Sequence, residues 1–106
     1  EVHNNLGKGF LEIVYKDALE IEFKKSKIPY QREVKYWVNY KGVTLPHHFY
    51  ADFVVHDGII LEVKATSGII DEFVAQTINY LKVSQNKLGL IINFGTNRIE
   101  TKRIIL

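Results

Sequence analysis

The sequence contains no cysteine, which excludes disulfide bonds and thiolate chemistry. It has no apolar run near the ~20 residues that a membrane-spanning helix needs, and it shows no secretory signal. We therefore expect a cytoplasmic protein with no membrane partner. A strong charge bias is also lacking. The net charge of +2 is compatible with a phosphate-bearing partner but does not by itself indicate one.

Length and composition predict a single globular domain over residues 1–106. The hydrophobic fraction of 46% and the charged fraction of 25% are typical of soluble globular proteins. No linker, repeat or low-complexity segment interrupts the chain. A chain of this length is long enough to bury one core.

Hydrophobic periodicity predicts two helices. The first covers residues 7–28, with a buried stripe formed by Leu11, Val14, Ala18 and Ile21. The apolar neighbours of Glu12 in this segment suggest that this part of the helix is covered nearly all round. The second helix covers residues 70–85, with Ser67 or Asp71 as its N-cap and a stripe of Ile70, Phe73 or Val74, Thr77 and Leu81.

Strand patterns fill the rest of the chain. Residues 32–45 alternate and turn at Lys41-Gly42, residues 49–65 form a hairpin, and residues 87–95 and 98–106 form two further strands. The nearly all-apolar strand after the second helix favours a parallel crossover. The predicted fold class is therefore α/β (α+β), with a mixed β-sheet flanked by two helices.

The hairpin "FYADFVVHDGIILEVKA" raises a question of register. A two-residue Asp57-Gly58 turn would point Asp52 away from Glu62. A three-residue loop with Gly58 in the left-handed conformation would place the two acids directly opposite each other. Only the second register gives one entirely apolar face, formed by Phe53, Val55, Ile59, Leu61 and Val63. We therefore predict the second register.

In this register Asp52 and Glu62 form a pair that needs positive charge. Cross-strand β-carbons lie ~5 Å apart. Two like charges at that distance repel by about 3–4 kcal/mol at an effective dielectric of ~20. Lys64, on the same face, can offset part of this repulsion, and a divalent cation such as Mg²⁺ can offset more. The chemistry that such a site supports is metal-assisted phosphodiester hydrolysis. A salt bridge on the wetter half of the hairpin is the structural alternative, and it stays open.

Several motifs in the right order carry a family resemblance. They are "GFLEIVY" with Gly9, Glu12 and Tyr15, "ADFVVHDGIILEVKA" with Asp52, Glu62 and Lys64, "AQTINYLK" with Gln76 and Tyr80, and "LGLIINFG". Together they cover almost all of the chain. The sequence resembles the PD-(D/E)XK nuclease superfamily and, within it, the small GxxExxY proteins.

The resemblance implies a restriction-endonuclease-like core (αβββαβ order) with a metal site where the hairpin splays. By this resemblance Asp52, Glu62 and the Val63 carbonyl would bind Mg²⁺ or Mn²⁺. Lys64 would position the attacking water, and Glu12 would hold a metal-bound water or a second cation. Gln76 would orient Lys64 or the substrate. The chain departs from the family pattern at Tyr50 and Phe73, where relatives often carry a basic residue and a histidine.

The expected function is a metal-dependent nuclease acting on nucleic acid, with DNA as the expected substrate. Two alternatives stay open: a non-catalytic nucleic-acid-binding module, and an interaction scaffold that retains the fold. A basic rim for a nucleic-acid backbone could be formed by Lys24, Lys25 and Lys27 together with Arg32 and Lys35. His47 and His48 are adjacent and point to opposite faces of a strand, which disfavours a zinc site. A domain of this size has little surface for gripping a duplex, so a homodimer or a partner chain is plausible.

Overall fold

The computed structural model describes residues 1–106. Its elements follow the predicted order, with one short helix added at the start: α1 (Val2–Leu6), α2 (Glu12–Lys25), β1 (Tyr30–Tyr40), β2 (Val43–Val55), β3 (Ile59–Lys64), α3 (Asp71–Ser84), β4 (Leu88–Asn93) and β5 (Glu100–Ile105). None of the helices combines the length and the apolar character required to cross a membrane.

The five strands form one mixed sheet in the order β1-β2-β3-β4-β5. Every neighbouring pair is antiparallel except β3 and β4, which run parallel and are joined through α3. The predicted mixed sheet and parallel crossover are confirmed. Parallel pairing requires a long connection, and the helix between the two strands provides it.

Two hydrophobic clusters lie on opposite faces of the sheet. Alternate residues of a strand point to opposite faces, so Leu61 and Val63 pack toward α1 and α2, whereas Ile60 packs toward α3. In β4, Leu90 and Ile92 border the first cluster and Ile91 belongs to the second. This burial on both faces explains the nearly continuous apolar run predicted for this strand.

The predicted first helix is too long, and its predicted stripe is only partly correct: Ala18 packs against the core, but two of the other residues do not. The helix begins at Glu12, and the residues it buries are Tyr15, Lys16 and Leu19. Leu11 and Ile21, which the periodicity placed in the core, are 75% and 56% exposed. Apolar residues occur on more than one side of this helix, so spacing alone could not tell which side meets the sheet.

The loop before α2 is fastened by Tyr15. The Tyr15 hydroxyl donates to the Gly7 carbonyl at 2.6 Å and accepts from the Phe10 N–H at 3.3 Å, while its ring stacks on Phe94 at 4.5 Å. Gly9 lies in this loop with φ +110°, which only glycine adopts readily, and not on a helix as predicted for residues 7–28. The loop fixes where α2 begins, and therefore where Glu12 stands.

Helix α3 covers the second face of the sheet. Its predicted buried positions Thr77 and Leu81 are confirmed, but Ile70 is largely exposed. The residue at the N-cap is Ile70, without a side-chain cap bond, so the predicted Ser67 or Asp71 cap is wrong. Packing against the sheet, rather than a capping side chain, stabilises this helix.

A buried asparagine connects the end of β4 to the chain just after β3. The Asn93 side chain accepts from the Thr66 and Gly95 N–H groups at 2.9 and 3.0 Å, and donates to the Thr66 carbonyl and to Glu100. Gly95 is packed so closely that a β-carbon there would overlap the Thr66 backbone and lie 2.7 Å from the Ala65 carbonyl carbon. These contacts hold the carboxyl end of β3, where Lys64 lies.

Gly95→Ala is expected to lower the free energy of unfolding by about 1–3 kcal/mol or more, because the added methyl group meets rigid backbone. Gly68→Ala is the matched control, since a β-carbon at Gly68 would meet nothing within 4 Å. Urea unfolding followed by circular dichroism measures both variants. Equal stability of the two would contradict the close packing described for Gly95.

Candidate functional site

The hairpin between β2 and β3 adopts the predicted bulged register. Phe53 pairs with Leu61 and Val55 with Ile59, which leaves a three-residue loop. The prediction that Gly58 would be left-handed is wrong, because His56 and Asp57 carry the positive φ angles of 52° and 60°. Histidine and aspartate are among the residues that tolerate this region best, so the loop does not need its glycine there.

Beyond Phe53 and Leu61 the two strands separate, and carboxylates replace the backbone ladder. The Asp52 N–H donates to Glu62 Oε2 at 2.9 Å, and the Val63 N–H donates to Asp52 Oδ2 at 2.7 Å. Each acid thus satisfies a backbone donor of the opposite strand. The two carboxylates come close to each other because the strands of the hairpin separate here.

An irregularity in β1 and β2 turns Asp52 toward α2. Ala51 packs on the α3 side and Phe53 on the α2 side, although regular alternation would place both on one face. The facing residue Glu33 has φ 54°, between the paired positions Arg32 and Val34. At this point the alternation of side chains in both strands shifts from one face of the sheet to the other. Asp52 lies at this shift.

Lys16 on α2 completes the surroundings of Asp52, and the motifs gave no sign of it. Its ammonium group pairs with Asp52 Oδ1 at 3.0 Å and with Glu33 Oε1. Burial by itself would lower the pKa of Lys16, but the bonds to the two acids outweigh it and raise the pKa above its ordinary value. Lys16 follows Glu12 by one helical turn, a spacing usually found on solvated helix faces, so its burial between Tyr15 and Leu19 was not evident.

Glu62 is a buried carboxyl group with too little positive charge around it. The residue is only 4% exposed. Burial, followed by the negative charge of Asp52, raises its pKa from 4.5 to about 8, while Lys64 and Lys16 lower it in part. The site therefore favours any added cation, whether a proton or a metal ion.

Lys64 lies on β3 two residues after Glu62 but makes no ion pair with either carboxylate. Its ammonium group lies 4.6 Å from the ring centroid of Phe73 on α3, a cation–π contact. Here the aromatic ring supports the lysine from the helix side.

The side chains of the remaining predicted site residues, Glu12, Gln76 and Val63, make no hydrogen bond to the carboxylate pair. Glu12 is exposed at the start of α2, and the burial that remains raises its pKa, while Lys64 lowers it and Asp52 raises it. The expectation that its helix neighbours are covered is wrong, because Leu11 and Ile13 are exposed. Gln76 is exposed on α3, and no hydrogen bond joins it to Lys64 or to a carboxylate. Val63 has its side chain in the core.

The donor set suits a divalent cation held by two carboxylates. No group of three or more histidine, aspartate or glutamate side chains is arranged to hold a metal ion. Mg²⁺ is nevertheless often bound through only one or two carboxylates, with water completing its shell. Asp52 and Glu62 supply such a pair, and a cation would offset the burial and the charge of Asp52 that raise the pKa of Glu62.

Glu62→Gln is expected to flatten the pH dependence of stability in metal-free buffer containing EDTA. Because the pKa of Glu62 is higher in the folded protein, the folded state binds more protons between pH 4.5 and about 8. The free energy of unfolding should therefore fall as pH rises through this window, by at most about 5 kcal/mol. The glutamine variant loses this contribution but keeps the acceptor for the Asp52 N–H.

Chemical unfolding across this pH range measures the effect, with Glu72→Gln on the exposed face of α3 as control. If Glu62→Gln and Glu72→Gln show the same slope as the unsubstituted protein, Glu62 does not carry the charge deficit.

Comparison with known proteins agrees with this fold. A solved structure, the crystal structure of SSO0001, matches the fold with a TM-score of 0.72 at 20% sequence identity, over 89% of this chain. The chain spans half the length of that protein (50%), and the likeness concerns the fold. No curated protein matches the sequence. A family model for the PD-(D/E)XK nuclease superfamily matches residues 1–104, and because it covers nearly the whole chain, the protein belongs to the PD-(D/E)XK nuclease superfamily.

Proposed function

We propose that the protein is a metal-dependent nuclease that hydrolyses phosphodiester bonds of nucleic acid, with DNA as the expected substrate. One observation carries the proposal. The carboxylates of Asp52 and Glu62 each accept from a backbone N–H of the opposite strand where the hairpin opens, with Lys64 on the same strand as Glu62. Membership of the superfamily supports it. The finer resemblance to the GxxExxY proteins stays a prediction.

Asp52 and Glu62 would hold Mg²⁺ or Mn²⁺, with the Val63 carbonyl as a further ligand. When bound, the cation would polarise the phosphate and activate water. It would also offset the burial and the negative charge of Asp52, which together raise the pKa of Glu62. Lys16 orients Asp52 by donating to its Oδ1 atom, while the Oδ2 atom accepts from the Val63 N–H.

The remaining roles fall to residues around the carboxylate pair. Lys64 would position the attacking water and steady developing charge, and its contact with Phe73 limits where the ammonium group can lie. Glu12 would act at the rim of the site, holding a water or a second cation. Gln76 faces solvent one turn before Tyr80 and would meet the substrate. A second copy or a partner chain would enlarge the gripping surface, and this expectation stays a prediction.

Asp52→Asn and Lys64→Ala are each expected to reduce Mg²⁺- or Mn²⁺-dependent cleavage by at least about 100-fold, the usual cost of removing a group that acts on the reacting atoms. The assay follows cutting of plasmid and of end-labelled single-stranded and duplex oligonucleotides. Matched controls are Asp57→Asn, in the exposed hairpin turn, and Lys102→Ala, on the far edge strand. Equal cleavage by all four variants would reject the catalytic roles.

A non-catalytic nucleic-acid-binding module is the second candidate. The absence of a third ligating side chain favours it, as does the ion pair that already occupies Asp52 Oδ1. This candidate predicts salt-dependent binding without cleavage in any metal. An interaction scaffold predicts neither binding nor cleavage.

Metal binding distinguishes a functional metal site from an interaction scaffold, for which no stabilisation by metal is expected. If Asp52 and Glu62 hold a cation, Mg²⁺ or Mn²⁺ at a hundred times its Kd should add about 2.7 kcal/mol to the free energy of unfolding. Thermal unfolding with and without the ion measures the change, and Asp52→Asn should abolish it whereas Asp57→Asn should not. A stabilisation that persists in Asp52→Asn would place the cation elsewhere.

A further inference from the structure

The hairpin of β1 and β2 extends past the rest of the sheet as a two-stranded ribbon. β3 pairs with β2 only from Phe53 to Val55, whereas β1 stays paired with β2 as far as Tyr40 and Val43. The ribbon, residues 34–51, therefore has no third strand beside it. A lone two-stranded hairpin is marginally stable in water, so the way its two faces are covered matters.

Only one face of the ribbon is covered by α3. The Phe49 ring stacks on Tyr80 of that helix with centroids 3.8 Å apart, and Tyr36 packs beside it. The opposite face, called here the outer ribbon face, consists of two cross-strand pairs: Lys35 with Tyr50, and Trp37 with His48. All four of its side chains are exposed.

The outer ribbon face presents a continuous row of rings. His48 lies between Trp37 and Tyr50, with centroids 4.9 and 5.3 Å away. The two larger side chains are 46% and 48% exposed. The Lys35 ammonium group lies 4.5 Å from the Trp37 ring centroid. Single exposed aromatic residues are ordinary, but contiguous exposed apolar patches are typical of interaction surfaces.

The charge of the ribbon matches a polyanion. None of the chain's 12 acidic residues lies between Val34 and Ala51, whereas this segment carries two lysines and two histidines. The acids that flank this segment in the sequence, Glu33 and Asp52, are both bonded to Lys16. A phosphate backbone would therefore meet positive charge along the ribbon without an opposing carboxylate.

The geometry favours a single strand over a duplex. Aromatic rings stack on unpaired bases, whereas the bases of a duplex are already stacked on one another. A two-stranded ribbon can enter a major groove, which is about 12 Å wide, but here α3 covers the other face of the ribbon. The rings are thus offered to bases that are not paired.

We propose that the outer ribbon face binds single-stranded nucleic acid, with unpaired bases stacked on Trp37 and Tyr50 and phosphates near Lys35. The choice of nucleic acid as ligand rests on the proposed function. Tyr50 precedes Asp52 by two residues on the side of the sheet that carries α2 and Lys16, so a strand bound at Tyr50 would lie beside the carboxylate pair. The ribbon would hold the strand whose phosphodiester enters the site.

Trp37 is the only tryptophan in the chain and reports directly on this contact. We expect single-stranded oligo-dT, added in EDTA so that no cleavage occurs, to quench its fluorescence. With a labelled oligonucleotide, Trp37→Ala and Tyr50→Ala should each raise the Kd measured by anisotropy by about 5- to 150-fold, as expected for loss of one stacked base. Tyr50→Phe, which keeps a ring, should restore binding. Lys35→Ala should weaken the salt dependence.

Lys102→Ala and Ile105→Ala are the controls, because both side chains are exposed on β5 at the opposite edge of the sheet. Circular dichroism verifies that each variant is folded, as expected for exposed positions. Several outcomes would overturn the proposal: no binding, binding without a change in Trp37 emission, Kd values equal to those of the controls, or equal affinity for duplex. Burial of Trp37 in a dimer, seen as an emission change with protein concentration alone, would also overturn it.

The cleavage assay separates this proposal from the catalytic one. If the ribbon variants bind more weakly while the unsubstituted protein cuts nothing in any metal, the ribbon proposal stands and the nuclease proposal fails. If cleavage depends on Asp52 and Lys64 but the ribbon variants bind and cut like Lys102→Ala, the ribbon proposal alone fails.

Discussion

The separation of β2 from β3 leaves two backbone N–H groups without carbonyl partners, and the two carboxylates of the hairpin accept from them. The Asp52 N–H bonds to Glu62, and the Val63 N–H bonds to Asp52. A buried donor without an acceptor would cost about 1–3 kcal/mol, so the acids are part of the sheet's own hydrogen bonding. Fold and candidate site therefore depend on the same two side chains, and a change to either one affects both.

Placing two acids together in a covered position creates a charge problem that the surrounding elements solve only in part. Lys16 from α2 pairs with Asp52, but Lys64 acts on Glu62 from a distance because its ammonium group lies over Phe73. Burial and the remaining charge of Asp52 keep the pKa of Glu62 raised. The proposed metal binding would offset these two effects.

The opening of the hairpin also shapes the surface beside the site. Because β3 leaves β2 after Phe53, the far part of the β1–β2 hairpin stands alone, with α3 on one face and solvent on the other. The exposed rings of Trp37 and Tyr50 lie on the solvent side, in a segment free of acids. One structural event thus yields both a carboxylate pair and an adjoining surface complementary to a polyanion.

The sequence by itself determined the hairpin register and the mixed sheet, because period-two alternation allows only one pairing with an apolar face and because an all-apolar strand after a helix indicates a crossover. It did not determine the side of α2 that meets the sheet, the turn residues with positive φ, or the burial of Lys16 against Asp52. Those features depend on contacts between residues far apart in the chain. Lys16 and Asp52 are separated by 36 positions and meet only because the faces of β1 and β2 exchange at Glu33. Local spacing carries no record of such an exchange, so only the tertiary structure decided it.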